Sequence, residues 1–286
     1  MRIALAQIKS NTCSITENIE KHIEYISKAK KINADVILFP ELSLHGHFGG
    51  RLITNFRHDL LNNNAINLIK NECENIVVIA SAVELTNSGL AYNSTYVIEN
   101  KKIIFKHRKI NVPHYGNLDE GDYIAKSDRI STFYPNKNKL SKSVILTCAD
   151  SWNPALVYLA AIKGINLVFA PVSSAINARA KVSDMDNPTG WDINTMHTAI
   201  TYGVYVIKAN RIGEENKLKF YGGSSITDPV GNIIEKAGSG EEMLTVDIDF
   251  NKILKAKLTL PTLRDAAPRL ISRLINEYLN NEYINN

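Results

Sequence analysis

The chain of 286 residues has a formal net charge of +4, from 33 lysines and arginines against 29 aspartates and glutamates, and 44% of its residues are hydrophobic. This composition is typical of a globular protein, and a small, scattered positive excess does not indicate nucleic acid as a partner. Because no linker-like or low-complexity segment interrupts the sequence, we expect residues 1–286 to form a single domain.

The start of the chain and its cysteines bear on where the protein works. The N-terminal residues become polar by Lys9, too soon for a signal peptide, and no apolar run approaches the ~20 residues of a membrane span. The three cysteines, Cys13, Cys73 and Cys148, have no paired spacing, which favours free thiols. We therefore expect a cytoplasmic protein with no membrane partner.

The first elements in chain order predict a βαβ unit. Residues 2–8 form a short apolar run, as in a buried strand. Ser14 and Glu17 have the spacing of a capping box that opens a helix, and Asn33 suits the end of that helix. Residues 36–39 then predict a second buried strand that ends at Pro40.

The later elements continue this alternation. Strands are predicted at 75–84, 91–99, 101–105, 143–147, 165–170, 204–209, 233–237 and 243–248, and helices at 153–162, 192–202 and 267–284. Alternating strands and helices, with stretches of consecutive strands, indicate a layered α/β protein with mixed sheets. The sequence contains neither G-x-G-x-x-G nor a P-loop, so we expect no nucleotide site, no other cofactor and no metal.

Three reactive side chains stand at or just beyond predicted strands: Glu41, Lys109 and Cys148. Ligands of open α/β sheets gather at such strand ends. Each residue alone also has an ordinary structural interpretation. Glu41 suits the first turn of a helix, Lys109 a solvated basic face, and Cys148 a small apolar core position.

The motifs around these three residues occur in a defined order. They are FPELS at 39–43, RKINVP at 108–113 and TCADSWNP at 147–154, accompanied by HYGNLDEG at 114–121, ANRIG at 209–213, YGGSS at 221–225 and LRD at 263–265. In this order the chain resembles the nitrilase superfamily of carbon–nitrogen hydrolases over almost its whole length. The resemblance implies a four-layer α-β-β-α sandwich with two mixed β-sheets, assembled as a homodimer or higher homo-oligomer.

The resemblance also implies the catalytic residues, namely Glu41, Lys109 and Cys148, with Glu120 beside the lysine. Cys148 would attack as a thiolate after Glu41 had taken its proton as general base. Lys109 and the backbone N–H of Ala149 would stabilise the oxyanion. A buried lysine needs a charge partner such as Glu120 to keep its proton, although Glu120 also suits an exposed acidic loop.

The segment 112–120 looks like the corresponding loop of the glutamine-hydrolysing domains of NAD synthetases and of their stand-alone bacterial relatives. This likeness favours an amide over a nitrile as substrate. Those relatives commonly carry an acid directly after the cysteine, whereas this chain has Ala149. The departure puts a glutaminase-like substrate in doubt.

Candidates for the substrate pocket lie on loops after predicted strands or at a helix start. They are Tyr115, Ala149, Trp152, Ser173, Ser174 and Trp191. The aromatic members suit the core equally well. The polar segment 174–190 lacks periodicity, which favours either a lid or a subunit contact.

The sequence thus predicts an amidase-type hydrolase that cleaves a non-peptide carbon–nitrogen bond. Its substrate would be a small amide or an N-carbamoyl compound, cleaved through a thioester intermediate with release of ammonia or an amine. Two alternatives stay open. One is a nitrilase acting on a nitrile, and the other is a catalytically silent binding protein on the same fold.

Overall fold

The computed structural model of the chain describes residues 1–12, 14–46, 53, 57–116, 118–176, 187–215 and 218–284. Cys13 and Asn117 lie outside the described residues. The same holds for 177–186, which make up most of the segment predicted to be a lid or a subunit contact. None of the helices in the described ranges is both long enough and apolar enough to cross a membrane.

The described part of the chain alternates strands and helices. The strands are β1 Arg2–Gln7, β2 Val36–Leu38, β3 Val77–Leu85, β4 Ala91–Glu99, β5 Lys102–Arg108, β6 Thr132–Phe133, β7 Ser143–Ile145, β8 Leu167–Val172, β9 Tyr205–Asn210, β10 Ile212–Glu215, β11 Leu218–Tyr221, β12 Ser225–Thr227, β13 Ile233–Lys236 and β14 Glu242–Asp247. The helices are α1 Ile15–Lys31, α2 Arg57–Leu61, α3 Asn64–Lys70, α4 Pro154–Ile162, α5 Asn187–Tyr202, α6 Phe250–Thr259 and α7 Pro268–Ile284.

The strands form two six-stranded sheets and one hairpin, β10–β11. The first sheet has the order β14-β1-β2-β3-β4-β5 and the second the order β13-β12-β9-β8-β7-β6. In each sheet three parallel central strands are flanked by antiparallel ones. Parallel neighbours require crossover connections, and helices supply them here, as α1 does between β1 and β2.

Three apolar clusters define the order of the layers. The central cluster joins the inner faces of both sheets, with Leu38 of the first sheet and Phe169 of the second among its members. A second cluster packs the outer face of the first sheet against α1 and α3, and a third packs the outer face of the second sheet against α4 and α5. The predicted α-β-β-α sandwich with two mixed sheets is therefore confirmed.

The element boundaries follow local chemistry where a cap or a charge pattern specifies them. The Ser14 hydroxyl accepts a hydrogen bond from the Glu17 N–H at 3.3 Å, as a helix N-cap does. Strand β5 runs three residues beyond its predicted end at 105. Lys106 and Arg108 extend it because both ion-pair with Glu84 of β3, which offsets the charge of an otherwise basic run. Lys109 consequently follows the strand directly.

Helix α5 begins at Asn187, five residues before the predicted start at 192. Pro188 lies in its first turn, where a proline is tolerated because the first N–H groups of a helix have no intrahelical partner. The end of the segment 174–190 is thus helical rather than irregular. The sequence analysis also missed β6, α2, α3, α6 and the hairpin β10–β11, and all of these except α6 are too short to show clear periodicity.

Candidate active site

The backbone brings the ends of both sheets together at Glu41 and Lys109. Glu41 stands three residues after β2, and its N–H donates to the carbonyl of Val172 at the end of β8, at 3.4 Å. Lys109 directly follows β5, and its N–H donates to the carbonyl of Asn93 in β4, at 2.9 Å. The first contact joins Glu41 to the end of a strand in the second sheet, whereas the second anchors Lys109 within the first sheet.

Lys109 lies between two carboxylates. Its Nζ is 2.6 Å from Glu41 Oε1 and 2.6 Å from Glu120 Oε2, and none of the three side chains is more than 1% exposed. Burial by itself lowers the pKa of Lys109, but the negative charges of Glu120 and Glu41 outweigh it and raise that pKa well above its ordinary value. Lys109 therefore carries a permanent positive charge.

Asn93 is a buried partner of both acids that the sequence analysis missed. Its Nδ2 donates to Glu41 Oε1 and to Glu120 Oε1, each at 2.8 Å. Asn93 opens the polar run Asn93-Ser94-Thr95 inside β4, all of it buried. A polar run of this kind within a predicted strand could have signalled a buried network, because buried polar groups need internal partners.

Cys148 begins a short 3-10 turn, Cys148–Trp152, after β7. Its φ of 46° lies in the left-handed region that is unfavourable for residues other than glycine. Burial raises the pKa of the Cys148 thiol well above its ordinary value, and the charge of Glu41 raises it further, whereas Lys109 and a hydrogen bond from the Ser173 backbone lower it. The resting side chain is therefore a thiol rather than a thiolate.

The two carboxylate oxygens of Glu41 differ in their hydrogen bonding. Its Oε1 is occupied by Lys109 and Asn93, while its buried Oε2 has no hydrogen-bond partner among the described residues. A buried oxygen without a donor is costly, so its retention suggests a chemical use. A thiol, a carboxylate oxygen without a partner among the described residues and a buried cation are the kinds of group that nucleophilic catalysis uses.

The five predicted substrate-binding residues line one cavity together with Cys148: Tyr115, Ala149, Trp152, Ser173 and Ser174. The side chains that line it within the described ranges carry no charge. Ser173 is buried, and its hydroxyl has no hydrogen-bond partner among the described residues. Glu41, Lys109 and Glu120 are buried and are not among the described residues that line this cavity.

Trp191 belongs both to this cavity and to the core. It is 2% exposed, and its ring contacts the ring of Trp152 edge-on, with 5.3 Å between centroids. The structure therefore shows Trp191 as a core residue that also lines the cavity, and its contact with substrate stays a prediction.

Replacing Lys109 with methionine is expected to lower the free energy of unfolding by about 3–5 kcal/mol, because it leaves Glu41 and Glu120 as buried acids without a cation. The measurement is the midpoint of urea unfolding, followed by circular dichroism.

Lys106→Met is the matched control for this experiment. The Lys106 side chain is 35% exposed, and its partner Glu84 keeps Arg108. The control should therefore lower the free energy of unfolding by at most about 1 kcal/mol. Equal losses in the two variants would contradict the inferred importance of the buried ion pairs.

The chain is similar to known proteins over most of its length. The carbon–nitrogen hydrolase family profile matches residues 2–257. A glutamine-dependent NAD(+) synthetase from Thermotoga maritima is 26% identical over 267 residues, which cover 92% of this chain and 45% of the synthetase. A citrullinase from Francisella tularensis subsp. tularensis is 26% identical over 290 residues, which cover 97% of this chain and 99% of the citrullinase.

Solved structures show the same fold. An amidase from Nesterenkonia sp. AN1 superposes with a TM-score of 0.81 at 19% identity, covering 96% of this chain and 99% of the amidase. A glutamine-dependent NAD+ synthetase from Acinetobacter baumannii superposes with a TM-score of 0.79 at 26% identity, covering 88% of this chain and 46% of the synthetase. The chain thus spans less than half the length of the synthetases that it matches.

Proposed function

Because the chain belongs to the carbon–nitrogen hydrolase family, within the nitrilase superfamily, we propose that it hydrolyses a small amide or N-carbamoyl compound with Cys148 as nucleophile. Because the chain belongs to this hydrolase family, the protein is an enzyme. We propose, beyond this, the substrate class, the catalytic residues and the thioester intermediate.

One observation carries the proposal. Burial and the charge of Glu41 raise the pKa of the Cys148 thiol, and Oε2 of Glu41 is buried without a hydrogen-bond partner among the described residues, so we assign this oxygen as the acceptor of the thiol proton. Lys109 holds the other oxygen of the same carboxylate at 2.6 Å. A general base fixed in this way can activate a thiol without a histidine.

The first half-reaction forms a thioester. As Cys148 Sγ attacks the carbonyl carbon, its proton passes to Glu41, and the developing oxyanion is stabilised by Lys109 Nζ and by the Ala149 N–H. Glu41 then returns the proton to the departing nitrogen, and the carbon–nitrogen bond breaks. Ammonia or an amine leaves, and the acyl group stays on sulfur.

The second half-reaction regenerates the enzyme. Water enters the place vacated by the amine, Glu41 takes its proton, and the resulting hydroxide attacks the thioester carbon. The carbon–sulfur bond breaks, and Sγ recovers the proton from Glu41. The products are a carboxylic acid, or a carbamic acid from an N-carbamoyl substrate, and free Cys148.

Two relatives support the amide and N-carbamoyl classes. The Thermotoga maritima synthetase is named for glutamine, which carries a side-chain amide, and the Francisella tularensis enzyme is named for citrulline, whose ureido group is an N-carbamoyl amine. The uncharged lining of the cavity, within the described ranges, fits a neutral carboxamide or ureido group.

Ammonia release from a panel of primary amides, N-carbamoyl amines and nitriles, with the wild-type chain, tests this function. Hydrolysis of an amide or carbamoyl compound, with no action on the nitrile of the same acyl group, supports the proposal. The reverse preference favours a nitrilase. Release from none of them, with Cys148 unreactive towards p-nitrophenyl acetate, favours a silent binding protein.

We propose further that residues 1–286 act as one domain in the cytoplasm. One apolar cluster joins both sheets, which supports a single folding unit. Cys73 and Cys148 are free thiols, which suits a reducing compartment.

The same enzyme is proposed to be a homodimer or larger homo-oligomer. Helix α7 exposes a stripe of large apolar side chains, among them Leu270 at 45%, Leu274 at 49%, Ile275 at 53% and Leu279 at 45%. A stripe of this size is seldom left in contact with water. Light scattering should therefore give at least twice the chain mass of 31.9 kDa.

Leu274→Glu should lower that mass, because it places a charge in the apolar stripe. Leu68→Glu is its control, since Leu68 lies on α3 and is exposed to a similar extent, at 52% against 49%. A mass of one chain for the wild type at micromolar concentration would refute the assembly.

A further inference from the structure

Asp150 has an unusually complete set of hydrogen bonds for a side chain outside the proposed catalytic set. It is fully buried, at 0% exposure. Its Oδ1 accepts from the backbone N–H of Ile110 at 3.0 Å and of Asn111 at 2.7 Å. Its Oδ2 accepts from the backbone N–H of Thr147 at 3.2 Å and from His107 Nε2 at 2.9 Å.

These donors lie immediately beside two residues of the proposed mechanism. His107 and Ile110 flank Lys109 at the end of β5 in the first sheet, and Thr147 precedes Cys148 at the end of β7 in the second. One carboxylate thus joins the segment that carries the cation to the segment that carries the thiol.

The donors are mostly backbone groups, so Asp150 constrains main-chain positions directly. A backbone N–H group only donates, so both carboxylate oxygens of Asp150 act as acceptors for the main chain. Five hydrogen bonds reach the Asp150 carboxylate, counting one from the Asn111 side chain at 3.4 Å, and one of the donors, the Thr147 N–H, directly precedes Cys148. The φ of Cys148, at 46°, is unfavourable and persists only where the surroundings determine it.

We propose that Asp150, together with His107, is a positioning residue that sets the placement of Cys148 relative to Lys109. The proposal rests on the proposed function, in which Lys109 stabilises the oxyanion formed when Cys148 attacks. A displacement of about 1 Å between such groups can reduce the rate by about 10²-fold. The rate of a thiol reaction that involves no oxyanion should be far less sensitive to such a displacement.

Asp150→Asn tests this placement because it preserves the shape of the side chain. An asparagine offers one acceptor oxygen, and its amide group would face donors that point at it. One of the two segments must therefore move. We expect folding to persist, with a lower midpoint of thermal unfolding.

Two probes of Cys148 separate misplacement from a general loss of structure. Acylation by p-nitrophenyl acetate passes through an oxyanion, whereas disulfide formation with methyl methanethiosulfonate requires only the thiolate. In Asp150→Asn the acylation rate should fall by about 10²-fold, while the rate with methyl methanethiosulfonate should stay within about threefold of wild type. Equal falls with both probes would overturn the proposal.

Glu84→Gln is the matched control. Glu84 is also buried, at 6% exposure, but its donors Ser94, Lys106 and Arg108 all lie in the first sheet, so these hydrogen bonds do not join that sheet to the segment that carries Cys148. The control should lower the unfolding midpoint without changing either probe rate. If Asp150→Asn behaved in the same way, Asp150 would be merely structural.

His107 provides a second test, which also serves if Asp150→Asn is insoluble. His107→Phe removes the donor to Asp150 Oδ2 and should slow acylation by about tenfold. His107→Gln keeps an N–H donor near that position and should restore most of the rate. Equal acylation rates in wild type, His107→Phe and His107→Gln would overturn the proposal.

The two probes of Cys148 distinguish a failure of the positioning role from a failure of the proposed function. Neither probe is the natural substrate, so the comparison holds even if no amide on the panel is hydrolysed. If the wild type is acylated no faster than Cys148→Ala, both proposals fail. If wild type, Asp150→Asn and Glu84→Gln are acylated equally fast, only the positioning role fails.

Discussion

Cys148→Ala is expected to lower kcat by roughly 10⁴–10⁶-fold, the loss typical of removing a catalytic nucleophile. The fold should persist, because one small, half-buried side chain replaces another. The measurement is ammonia release from the best substrate of the panel, together with the thermal unfolding midpoint. Cys148→Ser should be nearly as inactive, because a hydroxyl is a much weaker nucleophile than a thiolate.

Cys73→Ala is the control for this experiment. Cys73 is fully buried, and its thiol donates to the carbonyl of Ile69 at 3.1 Å. Its loss should lower the free energy of unfolding by about 1–2 kcal/mol and leave kcat unchanged. If Cys148→Ala retained wild-type turnover, the nucleophile would have to be sought elsewhere.

Glu41→Gln is expected to reduce kcat by roughly 10²–10⁴-fold, because an amide cannot take the proton of the thiol or of water. The same variant should have the opposite effect on the thiol itself. The charge of Glu41 raises the pKa of Cys148, so its removal lowers that pKa and increases the thiolate fraction at any pH below it.

The rate with methyl methanethiosulfonate at mildly alkaline pH should therefore be higher in Glu41→Gln than in wild type. Glu84→Gln removes another buried carboxylate and should change neither kcat nor this rate. A Glu41→Gln variant that lost turnover and thiol reactivity together would indicate a damaged site rather than a missing base.

The alternation of strands and helices could be predicted because each element follows from nearby residues. Ser14 and Glu17 specify the start of α1, and the apolar run at 36–39 specifies β2. The elements that escaped prediction, such as α2 and the hairpin β10–β11, are short and depend on tertiary contacts. The sequence pattern carries too few periods to identify them.

The candidate catalytic residues could be predicted only in combination. Glu41, Lys109 and Cys148 each had an ordinary structural interpretation, and their ordered motifs made the case. The structure brings Lys109 into contact with Glu41 and Glu120 at 2.6 Å, while the roles of these residues remain predictions.

The sequence by itself determined the family, the layered fold and the side chains whose chemistry suits hydrolysis, because motif order and periodicity are properties of the linear chain. Only the tertiary structure decided that Asn93 bridges both acids and that Asp150 joins the two sheets. The two acids lie 27 and 52 positions from Asn93 in the sequence. The partners of Asp150 lie between 3 and 43 positions away. Apart from the Thr147 contact, which belongs to a local capping box, no local pattern specifies these contacts, because they arise only when the packing of two sheets buries polar groups that must then be paired.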